Sequence, residues 1–338
     1  STHCMSDVLN VIHSFAHPSI HGRRAPPRAW RQRVTTTTTM PGTTMMMRAN
    51  GASVMRAAQR ALATRCKAMT TPRSTVAPRS TTTTMFAHQR RAVSRTRAVM
   101  AAYSNEKVGD FPSLDFRCFI KDDANKTVSA WHGVPLKNAD GTMNFLCEIP
   151  KETKAKMEVA TDEKLTPIKQ DTKKGKLRDY PYNINWNYGM LPQTWEDPKH
   201  EHPTMKVSGD NDPVDVVEIG SRALAMGSVT PVKPIGVYAM IDDGELDWKV
   251  IAISAEDPKA ADINDVEDVE KHFPGELEKI RVWFRDYKTP DGKPQNKFGL
   301  DDKCMNKAYT LDVIEETHEF YKALVSGKRA NDEELSLE

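Results

Sequence analysis

Acidic residues are nearly missing from the first 105 positions, where Asp7 stands against 15 Arg and one Lys. The remainder therefore holds 45 of the 46 acidic and only 32 of the 48 basic residues. The formal net charge of +2 hides a segment of +15 and a body of −13, and such a split marks a functional boundary. Lacking a basic excess, the body is a poor match for nucleic acid, whose phosphates need a cationic face. It suits a protein that gathers cations. No stretch reaches about 18 consecutive apolar residues, which excludes a membrane-spanning helix of ordinary length. Cysteine is scarce: five in 338 residues, with no CxxC pair and no zinc spacing. Three of them (Cys118, Cys147, Cys304) fall in the body, an odd number for a disulfide framework. They read as reduced thiols in a non-secretory compartment.

What the leading segment does contain is low in complexity. Thr35–Thr39, Met45–Met47 and Thr81–Thr84 are homopolymeric, and Arg, Thr, Ala, Met and Ser dominate with few aromatics. Such a composition buries too little apolar surface to offset the entropy of ordering, so residues 1–100 are expected to be a disordered presequence. Arg-rich, hydroxyl-rich and acid-poor is the composition of an organellar transit peptide. The Thr, Ala and Ser content favours the chloroplast, with the mitochondrion as the alternative. Acidic residues begin at Glu106, which puts processing around 95–105. A basic tail for acidic partners is the other reading of the segment.

The body reads as α+β, with strands first. Phe145–Ile149 is a strand that Pro150 stops, and Lys156–Val159 alternates as a half-buried strand does. Val214–Ile219, Ile235–Ile241 and Trp248–Ile253 are three more, the last two punctuated by the turn Asp242–Glu245. Five short strands between Gly, Pro and Asp loops suggest a small barrel. A helix capped by Asn264, with Glu267 as capping-box partner, is expected from about Asp265, and a second from Gly275 to Phe284. A third is expected over Leu311–Leu324, with Leu311, Ile314, His318, Tyr321 and Val325 on one face and Gly327 at its end. Residues 328–338 read as polar and loose.

Three carboxylates crowd the stretch from Asp210 to Asp215, interrupted by Asn211, Pro213 and Val214. Carboxylates this close repel one another unless a cation lies among them, and hard oxygen donors point to Mg²⁺. An EF-hand is excluded: Pro213 breaks the loop, Asp215 holds the place of its glycine and Ser221 that of its final glutamate. Alone, the segment could equally be a solvated turn. Asp242, Asp243, Glu245 and Asp247 form a second acidic loop at a strand end, and two such loops together favour a multi-metal site of the kind that serves phosphoryl chemistry. Lys156 and Glu158 share a strand face, and the basic run Lys173–Arg178 could supply an Arg fork for phosphate. Tyr188, Tyr287 and Lys288 are further donors, each on residue type alone more often structural than functional.

The stretch Asp210–Asp215 fits a signature of D, a small residue, D, P, an aliphatic residue and D. With Gln170–Arg178, Asn187–Gly189, Pro192–Pro198, Asp247–Ile253 and Pro290–Pro294 in the same order, the body resembles the eukaryotic-type (family I) soluble inorganic pyrophosphatases. The resemblance implies an OB-like five-stranded β-barrel flanked by helices, and makes 101–338 a catalytic domain. It implies Mg²⁺-dependent hydrolysis of pyrophosphate, which arrives as its magnesium complex, with several Mg²⁺ per site. Asp210, Asp215 and Asp247 would hold the principal ion, Asp215 bridging to a second. Asp242 and Asp247 would share another, and Glu158 would reach one through water. Asp212 would take the proton of a metal-bound water, while Lys156, Arg178, Tyr188, Tyr287 and Lys288 would bind the phosphates. Glu148, Glu245 and Lys249 would stand nearby.

One departure concerns assembly. Fungal and animal members that dimerise carry Arg-Trp where this chain has Lys151-Glu152, and its stretch between Arg178 and Tyr188 is shorter. Loss of an aromatic anchor predicts a monomer, with a homodimer as the alternative. Two rival functions remain: a catalytically silent subunit that binds proteins, and an OB-type nucleic-acid binder, which the acidic body and the lack of a basic aromatic platform disfavour.

Overall fold

The computed structural model describes residues 103–338, so the presequence reading of 1–100 falls outside the described residues. Mixed β-sheet dominates, with three helices packed on it. The central strands are Met143–Ile149, Asn187–Met190, Asp215–Glu218, Val229–Asp242 and Glu245–Ser254. Each pairs with the next in a circuit. Met143–Ile149 pairs with Asn187–Met190, which pairs with Asp215–Glu218. That strand runs parallel to Glu245–Ser254, which forms a hairpin with Val229–Asp242, and the latter returns to Met143–Ile149. Burial along these strands is nearly continuous, with seven buried residues in Met143–Ile149 and nine in Glu245–Ser254, most of them apolar but Glu148, Asp247 and Lys249 among them.

Four of the five expected strands belong to this circuit. The fifth, observed as Met157–Val159, pairs instead with Ile168–Gln170 in a second sheet that also contains Ser104–Val108 and Arg117–Lys121. Asn187–Met190 takes its place, a strand too short to leave a period. Gly189 is required there, because a Cβ would lie 2.0 Å from the Leu146 carbonyl oxygen on the neighbouring strand. Val229–Asp242 begins six residues before the expected Ile235, through Pro231 and Pro234. A register shift between Pro234 and Gly236 accommodates the interruption. The hairpin turn at Asp243-Gly244 has positive φ at both residues (50° and 103°), as a two-residue turn matched to strand twist requires.

Helix α1 (Val266–His272) is capped by Asp265, not Asn264; the Asp265 carboxylate accepts from Val266 N. The reciprocal partner is Asp268, which accepts from Asn264 N at 3.0 Å, rather than Glu267. Helix α2 covers Glu276–Asp286. Helix α3 (Lys307–Val325) starts four residues before the expected Leu311, because Asn306 caps it through Tyr309 N. Its buried face is Thr310, Val313, Ile314, Thr317, Tyr321 and Leu324, while Leu311 and Val325 are 37% and 41% exposed. The expected stripe was wrong at both ends: two buried threonines, polar by type, bond their hydroxyls to the helix carbonyls of the preceding turn and so enter the core. The C-terminal segment is not loose. Leu335 is buried, Ser336 N donates to Thr161 O, and Arg329 binds Asp197.

Candidate active site

One cavity of about 230 Å³ opens at the ends of the central strands. Asp215 starts its strand there, Asp242 and Asp247 flank the hairpin turn, and Tyr188 projects from the short strand containing Gly189. Asp210 and Asp212 come from the loop before Asp215. This loop turns at Asn211 (φ 76°), and Asp212 N donates to Asp210 Oδ1 at 3.0 Å. Glu158 comes from the second sheet and Lys156 from the residue just before its strand, Arg178 follows the short hairpin Thr172–Leu177, and Tyr287 and Lys288 follow the end of α2. All eleven residues singled out from sequence therefore line the same cavity, together with Glu148, Glu245 and Lys249.

Lys249 is the electrostatic centre. It is 2% exposed and forms ion pairs with both Asp215 and Asp247, while its Nζ lies 3.0 Å from Tyr188 Oη. Burial opposes its charge, but Asp215 and then Asp247 override that and raise its pKa well above the usual lysine value. Tyr188 also donates to Asp215. On the opposite side Lys288 pairs with Asp242 and, at 3.1 Å, with Asp243, and Tyr287 Oη donates to Asp242 at 3.0 Å. Lys156 lies between Glu158 (2.5 Å) and Asp171 (3.1 Å), and Arg178 is held by Asp171 at 2.7 Å.

The carboxylates carry the strain of proximity. Asp212 is exposed to solvent at the cavity mouth, although the lining groups crowd around it. That enclosure, followed by the Glu158 charge, pushes its carboxyl up to about 7. Burial and then Asp215, against the opposing pull of Lys249, also bring Asp247 up to about 7. Asp210 and Glu148 are raised well above the carboxylate range, in each case by burial first and then by a neighbouring aspartate. Divalent cations would relieve that repulsion and displace the protons, and the donors are hard oxygens, so the residues fit such ions. Among the described residues, no three His, Cys, Asp or Glu side chains converge as a ready cage. Lys249 and Lys288 draw Asp215, Asp247, Asp242 and Asp243 into ion pairs instead.

Sequence reasoning assigned no role to Asp171, Tyr180 or Glu196. Asp171 orients both Lys156 and Arg178, Tyr180 lines the cavity, and Glu196 lies buried behind Asp210 and Asp247. Their partners are distant in sequence or generic in type, so no local pattern singled them out.

Oxygen donors that fit divalent cations, facing an Arg, Lys and Tyr wall, make a site suited to phosphoryl groups. Comparison with known proteins narrows the class. The inorganic pyrophosphatase family description matches residues 145–322. A soluble inorganic pyrophosphatase 1, chloroplastic, of Chlamydomonas reinhardtii is 68% identical over 247 residues, covering 73% of this chain and 88% of the relative. A soluble inorganic pyrophosphatase 6, chloroplastic, of Arabidopsis thaliana is 62% identical, covering 69% and 77%. The crystal structure of type I inorganic pyrophosphatase from Toxoplasma gondii superposes with a TM-score of 0.64 at 42% identity, covering 65% of this chain and 98% of that one. The chain belongs to the inorganic pyrophosphatase family.

Proposed function

We propose that this protein hydrolyses inorganic pyrophosphate to two orthophosphates, using Mg²⁺, in the plastid stroma. The observation that carries the reading is the single cavity in which acidic cation donors face Lys156, Arg178, Tyr188, Tyr287 and Lys288. Asp210, Asp215, Asp242 and Asp247 would hold the ions, with Glu158 reaching one through water. Bound divalent cations supply two things: neutralisation of the substrate's charge and acidification of water. The chain's own residues do the rest. Asp212, in the loop between the expected ligands Asp210 and Asp215, accepts the proton of the attacking water. Lys156 and Arg178 hold phosphate oxygens, with the guanidinium oriented by Asp171. Burial, and then neighbouring groups, raise the pKa of Tyr188 and Tyr287, so both phenols stay protonated and can donate to charge growing on the leaving phosphate. Hydrolysis in ¹⁸O-water tests the reaction: one labelled oxygen should enter each pair of phosphates released. Label-free phosphate would mean transfer without water and sink the reading.

The circuit of five strands supports an OB-like barrel with the site at its mouth. Residues 101–338 would be the catalytic domain and 1–100 its transit peptide, in keeping with the acid-poor leading sequence and the chloroplastic relatives. The protein would be a monomer, because Lys151-Glu152 offers no aromatic anchor where dimerising members carry Arg-Trp.

A further inference from the structure

Among the carboxylates of the cavity, Asp210, Asp212 and Asp215 come from the loop Gly209–Asp215 and Asp247 from the strand Glu245–Ser254, and something must fix the spacing between these two groups. The segment Trp195–Asp197 touches both. Glu196 N donates to Asp212 O at 2.9 Å, and Asn211 N donates to Glu196 O at 3.0 Å, so the Glu196 backbone brackets the turn between Asp210 and Asp212. The Glu196 side chain reaches the other way. Both of its oxygens accept from Trp248 N at 3.2 Å, next to Asp247. The contact is close on every side: a Cβ on Gly209 would lie 2.5 Å from the Glu196 carbonyl carbon. Glu196 itself is 3% exposed and does not line the cavity.

The same segment is gripped from outside by the C-terminus. Asp197 accepts from Arg329 Nε at 3.0 Å and from Arg329 Nη2 at 2.9 Å, a two-pronged pair that is largely buried. The Arg329 guanidinium lies 5.0 Å from the centre of the Trp195 ring. The Trp195 indole N–H in turn donates to Asn211, at 3.2 Å to its carbonyl and 3.1 Å to its side-chain oxygen. Glu333 holds Arg329 from behind at 2.7 Å. Arg329 and Glu333 lie beyond the 145–322 region that matches the family description. A fork with two bonds to one carboxylate and an aromatic face beneath it fixes an orientation that a lysine cannot reproduce.

We propose that Glu196 is a positioning residue that ties the Asp210–Asp215 loop to the strand bearing Asp247, and that C-terminal Arg329 braces it, so that the tie sets the affinity for the divalent cation. Neither residue touches substrate. The effect therefore belongs in metal affinity, since groups that orient first-shell ligands typically change it by about 10- to 100-fold. The inference rests on the metal-dependent reading of the cavity.

The test uses the full chain. Mg²⁺ binding is measured by calorimetry, and the Mg²⁺ concentration for half-maximal pyrophosphate hydrolysis beside it, for Glu196→Ala, Glu196→Gln, Arg329→Lys and, as control, Lys164→Ala. The control removes a surface pair of the tail with Glu338 and leaves the brace intact. Glu196→Ala should weaken Mg²⁺ binding about tenfold or more, with activity at saturating Mg²⁺ within about threefold of the parent. Glu196→Gln, which keeps an acceptor for Trp248 N, should restore most of the affinity. Arg329→Lys should weaken binding in the same direction by a smaller factor, and Lys164→Ala should change nothing. Should Glu196→Ala not fold, Glu196→Asp, whose shorter side chain withdraws the acceptor from Trp248 N, should show the loss in its place, and unchanged affinity there would overturn the tie. Unchanged Mg²⁺ affinity in Arg329→Lys, or an equal loss in Lys164→Ala, would overturn the brace; unchanged affinity in Glu196→Ala, or a loss confined to turnover, would overturn the tie. A parent that neither binds Mg²⁺ nor releases phosphate would instead refute the reading of the cavity itself.

Discussion

Asp212 shows how far a side chain's surroundings decide its chemistry. An aspartate with an ordinary value near 3.8 would be a poor proton acceptor, but here enclosure and the Glu158 charge bring it to about 7. A consequence can be measured without catalysis. Because the folded-state value lies above the unfolded one, metal-free folded protein holds this proton between about pH 4 and 7 and loses stability as pH rises through that window. Asp212→Asn has no such proton to lose. In EDTA, its melting temperature should therefore gain on that of the parent as pH rises from 4 to 8, and Mg²⁺ should shrink the gain; a constant difference across the range would contradict the shift. The acidic part of the cavity was legible through two carboxylate-rich loops, Asp210–Asp215 and Asp242–Asp247, while roles for Lys156, Arg178, Tyr188, Tyr287 and Lys288 came only with the family resemblance. Glu196 was not, since its role lies in a bond to Trp248, 52 residues away, and nothing local to Glu196 announces it.

Strands were legible where their apolar runs were long, and illegible where a special residue interrupted the pattern. Met143–Ile149 and Glu245–Ser254 announced themselves, whereas Pro231 and Pro234 disguised half of Val229–Asp242, and Asn187–Met190 offered only four residues. That short strand packs closely against its neighbour. With a backbone carbonyl 2.0 Å from where a Cβ would stand, Gly189→Ala must push two central strands apart. Backbone cannot yield as a flexible side chain can, so the substitution should cost about 3 kcal/mol or more. Chemical denaturation should show it as a fall in midpoint, and a loss below about 1 kcal/mol would mean that the strands separate easily. Helix α3 holds a related lesson. Its face was misplaced because Thr310 and Thr317, polar by type, bond back to helix carbonyls and are buried.

At the scale of the whole molecule, the charge split separates two unlike parts of one chain: a basic leading segment and an acidic body, nine of whose carboxylates line one cavity. Long-range pairing was beyond the sequence. The return of Val229–Asp242 to Met143–Ile149 joins residues some 80 positions apart, and no local period encodes it. Assembly also belongs here. A charged Lys151-Glu152 face should leave the protein monomeric, and sedimentation at micromolar concentration should give the mass of one chain; a dimer mass would show that another surface provides the anchor. The most direct test of the account is phosphate release from pyrophosphate, with Mg²⁺ and with EDTA, for the parent and for Asp215→Asn. The cavity described here predicts rapid release that needs the metal and falls by about 100-fold or more in the variant. Release that ignores EDTA, or a variant as active as the parent, would contradict it.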